Sequence, residues 1–151
     1  MDHLVRQYRA INNKQLWIAN ASPRYLKQLL PNLKLNEKDN VRLHIISSNR
    51  VDLAQTIPLN KWKLRNLNYA ISNGSDLIVE YLILNCKFDS RPGDQYIVNC
   101  ILKSGVNDKY VKTIRLLNSH GILDSKTSPA INNVIIESEK LIIQRILWIT
   151  E

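Results

Sequence analysis

The sequence predicts an all-α fold in which about five helix-turn-helix repeats stack into a solenoid. The first indication is residues 68–89, which read as two short helices joined by a tight turn. A hairpin of this length cannot bury its own apolar face, so it has to stack on further copies of itself. The second indication is a spacing: Val79, Val111 and Ile143 recur at one constant interval, which is typical of a repeat array.

Upstream of this hairpin the repeat shortens. Leu26, Leu53 and Val79 follow one another at nearly equal, slightly smaller intervals, so a similar register continues towards the N-terminus. The 151 residues are long enough to hold one continuous core, and we expect a single helical-repeat domain over residues 1–151.

The first part of the chain carries clear helix start and stop signals. Apolar residues at helical spacing predict a helix over residues 2–12, and a short helix follows over residues 15–21. Ser22 before Pro23 is an N-cap followed by proline at the first helical position, where a missing N–H leaves no bond unmade. Pro31 marks the end of that helix.

The next two helices are placed by polar caps and by a proline. A polar loop is predicted over residues 32–38, with Asp39 or Asn40 capping the helix that follows. Pro58 ends the next, shorter helix. Asn60 is then predicted to cap a longer helix, whose second half is the first helix of the central hairpin.

The central hairpin has the strongest local signals. Gly74 follows the first helix and can take the left-handed conformation that closes it. Ser75 and Asp76 form a capping pair for the second helix, which is predicted to run to Asn85. A loop is predicted over residues 87–93, which contain an Arg-Pro-Gly turn signal.

Three further helices are predicted after this loop. Asp94 caps a helix that Gly105 closes, and Asp108 caps a helix that Gly121 closes. Pro129 begins the next helix in the same way as the earlier Ser-Pro pair.

The last helix is predicted to begin at Ser138 or Glu139. Apolar residues cover much of its circumference. A terminal repeat of a soluble array has a polar outer face, so this helix either tucks inward or is covered by a homodimer contact or another partner. The apolar residues are Leu141, Ile142, Ile143, Ile146, Leu147, Trp148 and Ile149.

The central hairpin resembles the core of an ankyrin repeat, with a small residue, a glycine turn, a valine, two Leu-type residues and a final acid. The resemblance is partial over residues 66–151, the Thr-Pro-Leu-His tetrapeptide is missing, and the array is therefore a degenerate ankyrin-like one. Degenerate arrays rich in Asn, Ile and Lys resemble those coded by AT-rich genomes such as large DNA viruses. The residues that carry the resemblance are Ala70, Ile71, Ser72, Asn73, Gly74, Val79, Leu82, Ile83 and Asp89.

The net charge of +8 is confined to the first part of the chain. Residues 1–66 hold 12 Lys and Arg against 4 Asp and Glu, whereas residues 67–151 hold 9 of each. An asymmetry of this kind indicates either a solvated basic face or a surface for an acidic partner, nucleic acid or protein.

The stacked hairpins favour a non-catalytic scaffold that binds another protein, a host protein if the chain is viral. Loop and first-helix positions are expected to hold the partner, with Tyr and Arg as anchors because each gives a large or forked contact. The expected partner-binding residues are Asn68, Tyr69, Asp89, Arg91, Asp94, Tyr96 and Lys103.

The alternative function is nucleic-acid binding by the basic part of the chain. Its densest cluster has a tryptophan among cations, which suits base stacking with phosphate contact, although that tryptophan also fits a core position. The residues proposed for this function are Arg24, Lys27, Arg50, Lys61, Trp62, Lys63 and Arg65.

Neither catalysis nor a cofactor is predicted. The nucleotide, hydrolase and zinc signatures are missing, and Cys86, Cys100 and His120 lack the paired spacing of a metal site. No apolar run approaches membrane-spanning length, and residues 1–10 lack a secretory apolar segment. With two cysteines, the expectation is an intracellular, cytoplasmic protein with reduced thiols, located in the host cytoplasm if it is viral.

Overall fold

The structure, a computed structural model, describes residues 3–88, 108–121 and 129–150. Within these ranges every regular element is helical, with nine α-helices and two short 3-10 turns, so the predicted all-α fold is confirmed. The chain divides into two compact units, Met1–Cys86 and Lys87–Glu151.

The first unit holds seven of the described α-helices. Each pair of neighbours is separated by a short connection, and the two 3-10 turns lie in the connections after α3 and α5. The helices are α1 (His3–Ala10), α2 (Lys14–Ala19), α3 (Pro23–Leu29), α4 (Leu35–Ser48), α5 (Val51–Ala54), α6 (Leu64–Asn73) and α7 (Asp76–Asn85), and the 3-10 turns are Leu30–Asn32 and Leu59–Lys61.

The helices of this unit pack in two rows. In one row α2 packs against α4 and α4 against α6; in the other α1 packs against α3, α3 against α5 and α5 against α7. Leu26, Leu53 and Val79 lie on α3, α5 and α7 and are fully buried. The apolar positions that recur at nearly equal intervals in the sequence therefore all belong to the core of the second row.

The turns between the two rows are hydrogen-bonded to one another. Arg50, at the start of α5, donates to the backbone carbonyls of Ala19 (3.1 Å) and Ala21 in the preceding turn. Ser75, at the start of α7, donates its hydroxyl to the carbonyl of Ile46 at 2.6 Å. The turn at Arg50 is therefore tied to the end of α2 and the turn after it, and the turn at Ser75 is tied to the last part of α4.

Asn49 joins α4 to α7 as well as ending its own helix. Its backbone is left-handed, with φ 55°, a conformation that asparagine tolerates better than most residues. The side-chain oxygen accepts the Ile78 N–H at 3.1 Å, and the amide donates to Asp76 Oδ1 at 3.0 Å. Ser75 stands at the N-cap position of α7, as predicted, but its hydroxyl bonds to α4, and the side chain of Asn49 supplies the cap.

Several helix ends lie where capping residues, proline and glycine in the sequence predict them. Ser22 caps α3 by accepting the Tyr25 N–H at 3.1 Å, and Pro23 is the first residue of that helix, as predicted. Gly74 ends α6 with φ 69°, and α7 ends at Asn85, also as predicted.

Two predicted helix starts are wrong. The region predicted as a polar loop over residues 32–38 contains the first turn of α4, which begins at Leu35 and not after Asp39 or Asn40. The Glu37 carboxylate accepts the Lys34 N–H at 3.0 Å, so the third residue of the helix satisfies the donor at its start.

The second wrong start is that of α6. Asn60 lies in a 3-10 turn, and α6 begins at Leu64. Here Asn66 accepts the Lys63 N–H at 2.9 Å, which repeats the arrangement at the start of α4. In both helices the capping group comes from inside the first turn, not from the residue before it.

The described part of the second unit is a pair of helices. These are α8 (Asp108–Ser119) and α9 (Pro129–Thr150), which pack against each other and bury Ile114 and Leu117. Pro129 starts α9 as predicted, but the break predicted at Ser138 or Glu139 is wrong because α9 runs through this region. Lys140 pairs with Glu137 at 3.3 Å across it.

The apolar face of α9 is only partly covered by the described residues. Leu141 and Ile142 are half-buried, whereas Ile143, Ile146 and Leu147 are exposed. Ile143 follows Val79 at the constant interval noted in the sequence, and Val79 is buried. Ile143 is nevertheless 55% exposed, so the interval does not mark a buried position there.

Candidate functional site

A cleft of about 660 Å³ opens in the first unit, beside the connections that join one hairpin to the next. One side is formed by the end of α3, the turn after it and the first half of α4. The other is formed by the residues after α5, the turn at Leu59–Lys61 and the start of α6. Six lining residues are cationic: Lys27, Lys38, Arg42, Lys61, Lys63 and Arg65.

Two similar sequence segments form much of these two sides. Residues 30–37 (LPNLKLNE) and 59–66 (LNKWKLRN) share Leu, Lys and Leu at matching positions. In each segment a 3-10 turn leads to a buried apolar side chain, Leu33 in the first and Trp62 in the second. This buried residue anchors the connection to the core, and the lysine after it immediately precedes a helix.

The cleft carries an excess of positive charge. Asp39 is its only carboxylate among the described residues, and it forms a salt bridge with Arg42 and lies 3.7 Å from Arg65. Burial lowers the pKa of Arg42, and the Arg65 guanidinium lowers it further. The Asp39 charge is thus already engaged by arginine.

Four lysines of the cleft lack a counter-charge among the described residues. Lys27, Lys61 and Lys63 are exposed and Lys38 is half-buried, and none forms a salt bridge with a described residue. Lys63 Nζ donates to the backbone carbonyl of Asn60 at 3.3 Å. The potential in the cleft is therefore positive and favours an anionic ligand.

The rest of the lining is mainly apolar. Leu35 lines the cleft, and its large apolar side chain is 74% exposed. The other apolar lining residues are Leu30, Pro31, Ile57 and Pro58. Cationic and apolar groups therefore share one concave surface, which suits a ligand that has both charged and apolar parts.

The structure brings together four of the seven residues proposed for nucleic-acid binding: Lys27, Lys61, Lys63 and Arg65 line the cleft. Arg24 is exposed on α3 but lies outside the lining. Arg50 also lies outside it, and its guanidinium binds Asp52 as well as the two backbone carbonyls already described. The hydrogen bond from Arg50 lowers the pKa of Asp52.

Trp62 occupies the core. Its side chain is only 4% exposed, and its indole N–H finds no acceptor among the described residues. Of the two interpretations of this residue, the core position is the one observed, and its ring is not presented for base stacking.

Two of the residues expected to bind a protein partner lie in the described part of the chain. Asn68 and Tyr69 are half-buried on α6, and the Tyr69 hydroxyl lies 3.0 Å from the Ser47 hydroxyl on α4. Tyr69 therefore helps to join α4 to α6. The remaining five, Asp89, Arg91, Asp94, Tyr96 and Lys103, lie outside the described residues.

Among the described residues, the side chains of His44 and Cys86 lie in surroundings that indicate a structural role. His44 Nδ1 lies 2.8 Å from Gln15 Oε1, and burial lowers the pKa of the imidazole. Cys86 is half-buried, and burial raises the pKa of its thiol, whereas Cys100 lies outside the described residues. In the described ranges no three His, Cys, Asp or Glu side chains gather in a group that could hold a metal ion.

No protein-family model, curated protein or solved structure matches this chain. Among the described helices, none is both long and apolar enough to cross a bilayer. The function therefore has to be inferred from the stacked helices and from the cleft beside their connections.

Proposed function

We propose that the chain is a non-catalytic protein-binding module built from ankyrin-like helical repeats. The observation that carries this proposal is the arrangement of α2 to α7, three hairpins whose first helices pack in one row and whose second helices pack in another. Stacked hairpins of this kind present a long, rigid surface to a partner.

The turns and connections support the same proposal. Hydrogen bonds from Arg50 and Ser75 tie each turn to the preceding one at nearly the same separation along the chain. The segments at 30–37 and 59–66 repeat one pattern and open onto one cleft. A regular spacing at both ends of the hairpins is typical of a repeat array.

This function can be tested by capture from a cell extract with single-residue variants. Arg91→Ala and Tyr96→Ala change residues expected to anchor a partner, and Arg6→Ala changes an exposed arginine of α1. We expect at least one protein to be retained by the parent chain and by Arg6→Ala but depleted about tenfold by an anchor variant. Identical retention by all variants, with unchanged circular dichroism, would contradict the proposal.

Nucleic-acid binding is the second candidate, because Lys27, Lys61, Lys63 and Arg65 converge on one cleft. The test is fluorescence anisotropy with a mixed-sequence duplex and with a single strand, at low and at physiological salt. Phosphate binding releases counterions, so the affinity should fall steeply with salt and should disappear when Lys61 and Lys63 are both changed to Glu. A lack of binding at physiological salt would remove this candidate.

A further inference from the structure

We propose that the cationic cleft binds an acidic peptide segment that carries an apolar side chain. The proposal rests on the protein-binding function above and deepens it, because it names the site and the chemistry of the partner. The partner segment would place its carboxylates against the lysines and its apolar side chain against Leu35 and the apolar lining.

The charge of the ligand follows from the ion pairs of the cleft. Asp39 is bound by Arg42, so it does not neutralise the lysines around it. Lys27 and Lys38 come from α3 and α4, whereas Lys61 and Lys63 come from the connection that leads to α6. A segment lying in the cleft therefore meets cations from α3, from α4 and from the connection before α6 that have no counter-charge among the described residues, and carboxylates are complementary to them.

The apolar part of the ligand follows from the lining. Leu35 is 74% exposed, and it lies in the same concave surface as Leu30, Ile57 and two prolines. The cleft volume of about 660 Å³ falls within the range of roughly 300–1,000 Å³ typical of sites that enclose a ligand of several side chains' size. Burial of an apolar side chain here removes exposed apolar surface from water on both partners.

The same lining favours a peptide over a nucleic-acid strand. Proteins that hold single strands stack the bases on aromatic side chains, and no described residue that lines the cleft is aromatic. Trp62, the aromatic residue within the basic cluster, is buried. A strand would find phosphate contacts here but no stacking surface, whereas an acidic peptide with an apolar residue uses both parts of the lining.

The test uses the full chain and pools of labelled peptides of about ten residues, long enough to span such a site. In the first pool each peptide has several Asp or Glu and two Leu in random order; in the second the leucines are replaced by Ser. A single-stranded oligonucleotide with a similar number of charges is the third probe. Affinities are measured by anisotropy at physiological salt.

The chain offers matched variants for this test. Lys61→Glu with Lys63→Glu reverses two charges in the cleft, and Arg6→Glu with Arg24→Glu reverses two exposed charges outside it. Leu35→Ser removes the exposed apolar group without disturbing the core. Circular dichroism checks whether each variant keeps its helices.

The proposal predicts a specific pattern of affinities. The Leu pool should bind about tenfold more tightly than the Ser pool, and Leu35→Ser should remove most of that difference. The Lys61 and Lys63 double variant should weaken binding of the Leu pool about tenfold or more, and the Arg6 and Arg24 variant should change it far less. Equal binding of the two pools, or an oligonucleotide that binds more tightly than either pool, would overturn the proposal.

This outcome is separable from that of the general function. If neither pool binds but a protein captured from the extract is still depleted by Arg91→Ala or Tyr96→Ala, the module binds its partner elsewhere. In that case the cleft proposal falls and the protein-binding proposal stands.

Discussion

Leu82 and Leu84 offer a direct test of the packing of the second row of helices. Both lie on α7, close together in the chain, and their surroundings differ completely: Leu82 is 0% exposed and Leu84 is 61% exposed. Replacing each leucine by alanine therefore makes the same chemical change in the core and on the surface. Any difference in effect reports on the packing of α7.

The expected magnitudes follow from burial. Leu82→Ala removes about three carbon groups from a fully buried site, which costs about 2.4 kcal/mol of transfer free energy at about 0.8 kcal/mol for each. The cavity left behind raises the total, so we expect a loss of about 2.5–5 kcal/mol in the free energy of unfolding. Leu84→Ala leaves no cavity and should change this free energy by less than about 0.5 kcal/mol.

Urea unfolding followed by far-ultraviolet circular dichroism measures both values. The slope of the free energy against urea should stay the same in the two variants, so that a shift in the midpoint reports stability. Equal midpoints for Leu82→Ala and Leu84→Ala would refute the packing of α7 described above.

Three further predictions concern caps and ion pairs. Asn49→Ala should destabilise the fold by about 1 kcal/mol more than Asn49→Gly in urea unfolding, because glycine keeps the left-handed backbone and loses only the cap of α7. Ser75→Ala should cost about 0.5–1.5 kcal/mol in the same assay, because it removes a buried hydrogen bond to the Ile46 carbonyl, which keeps the Asn49 N–H as its other donor. Hydrogen bonds from Arg9 and from the Lys34 N–H lower the pKa of Glu37 from 4.5 to about 2, so the stabilisation by the ionised carboxylate is present above pH 4.5 and is lost as the pH falls towards 2. The melting temperatures of the parent chain and of Glu37→Gln should therefore differ most near neutral pH and converge near pH 2; a constant difference would contradict this assignment.

Elements set by strong local signals could be predicted from the sequence. Ser22 with Pro23, and Gly74 at the end of α6, act through their own backbone or through atoms a few residues away. The burial of Leu26, Leu53 and Val79 could also be predicted from their spacing. Apolar residues recur at nearly equal intervals within a row of helices even though the connections vary.

The starts of α4 and α6 could not be found by looking for polar N-caps. Lys34 and Lys63 precede these helices, and lysine has no acceptor with which to cap a helix. The acceptors are Glu37 and Asn66, at the third position of each helix. A search for an acid or amide at that third position, after a buried apolar residue, would have located both starts.

Only part of the cleft lining could be predicted from the sequence. Lys61, Lys63 and Arg65 form a cluster along the chain, but Lys27 and Lys38 join them only because consecutive hairpins pack side by side. The signal that could have revealed this is the recurrence of LPNLKLNE as LNKWKLRN. This recurrence was hard to recognise because the apolar positions of the second helices recur at shorter intervals than the two segments do. The connections between the helices account for the difference between the two intervals.

The hydrogen bonds between turns also bear on how the first unit can form during synthesis. Arg50 and Ser75 are donors whose acceptors belong to the preceding hairpin, and Asn49 supplies the cap for a helix that follows it. During synthesis the acceptors at Ala19 and Ile46 leave the ribosome before the donors that need them. Each hairpin thus emerges beside a finished neighbour that already offers its bonding groups, so folding can proceed from the N-terminus as the chain grows.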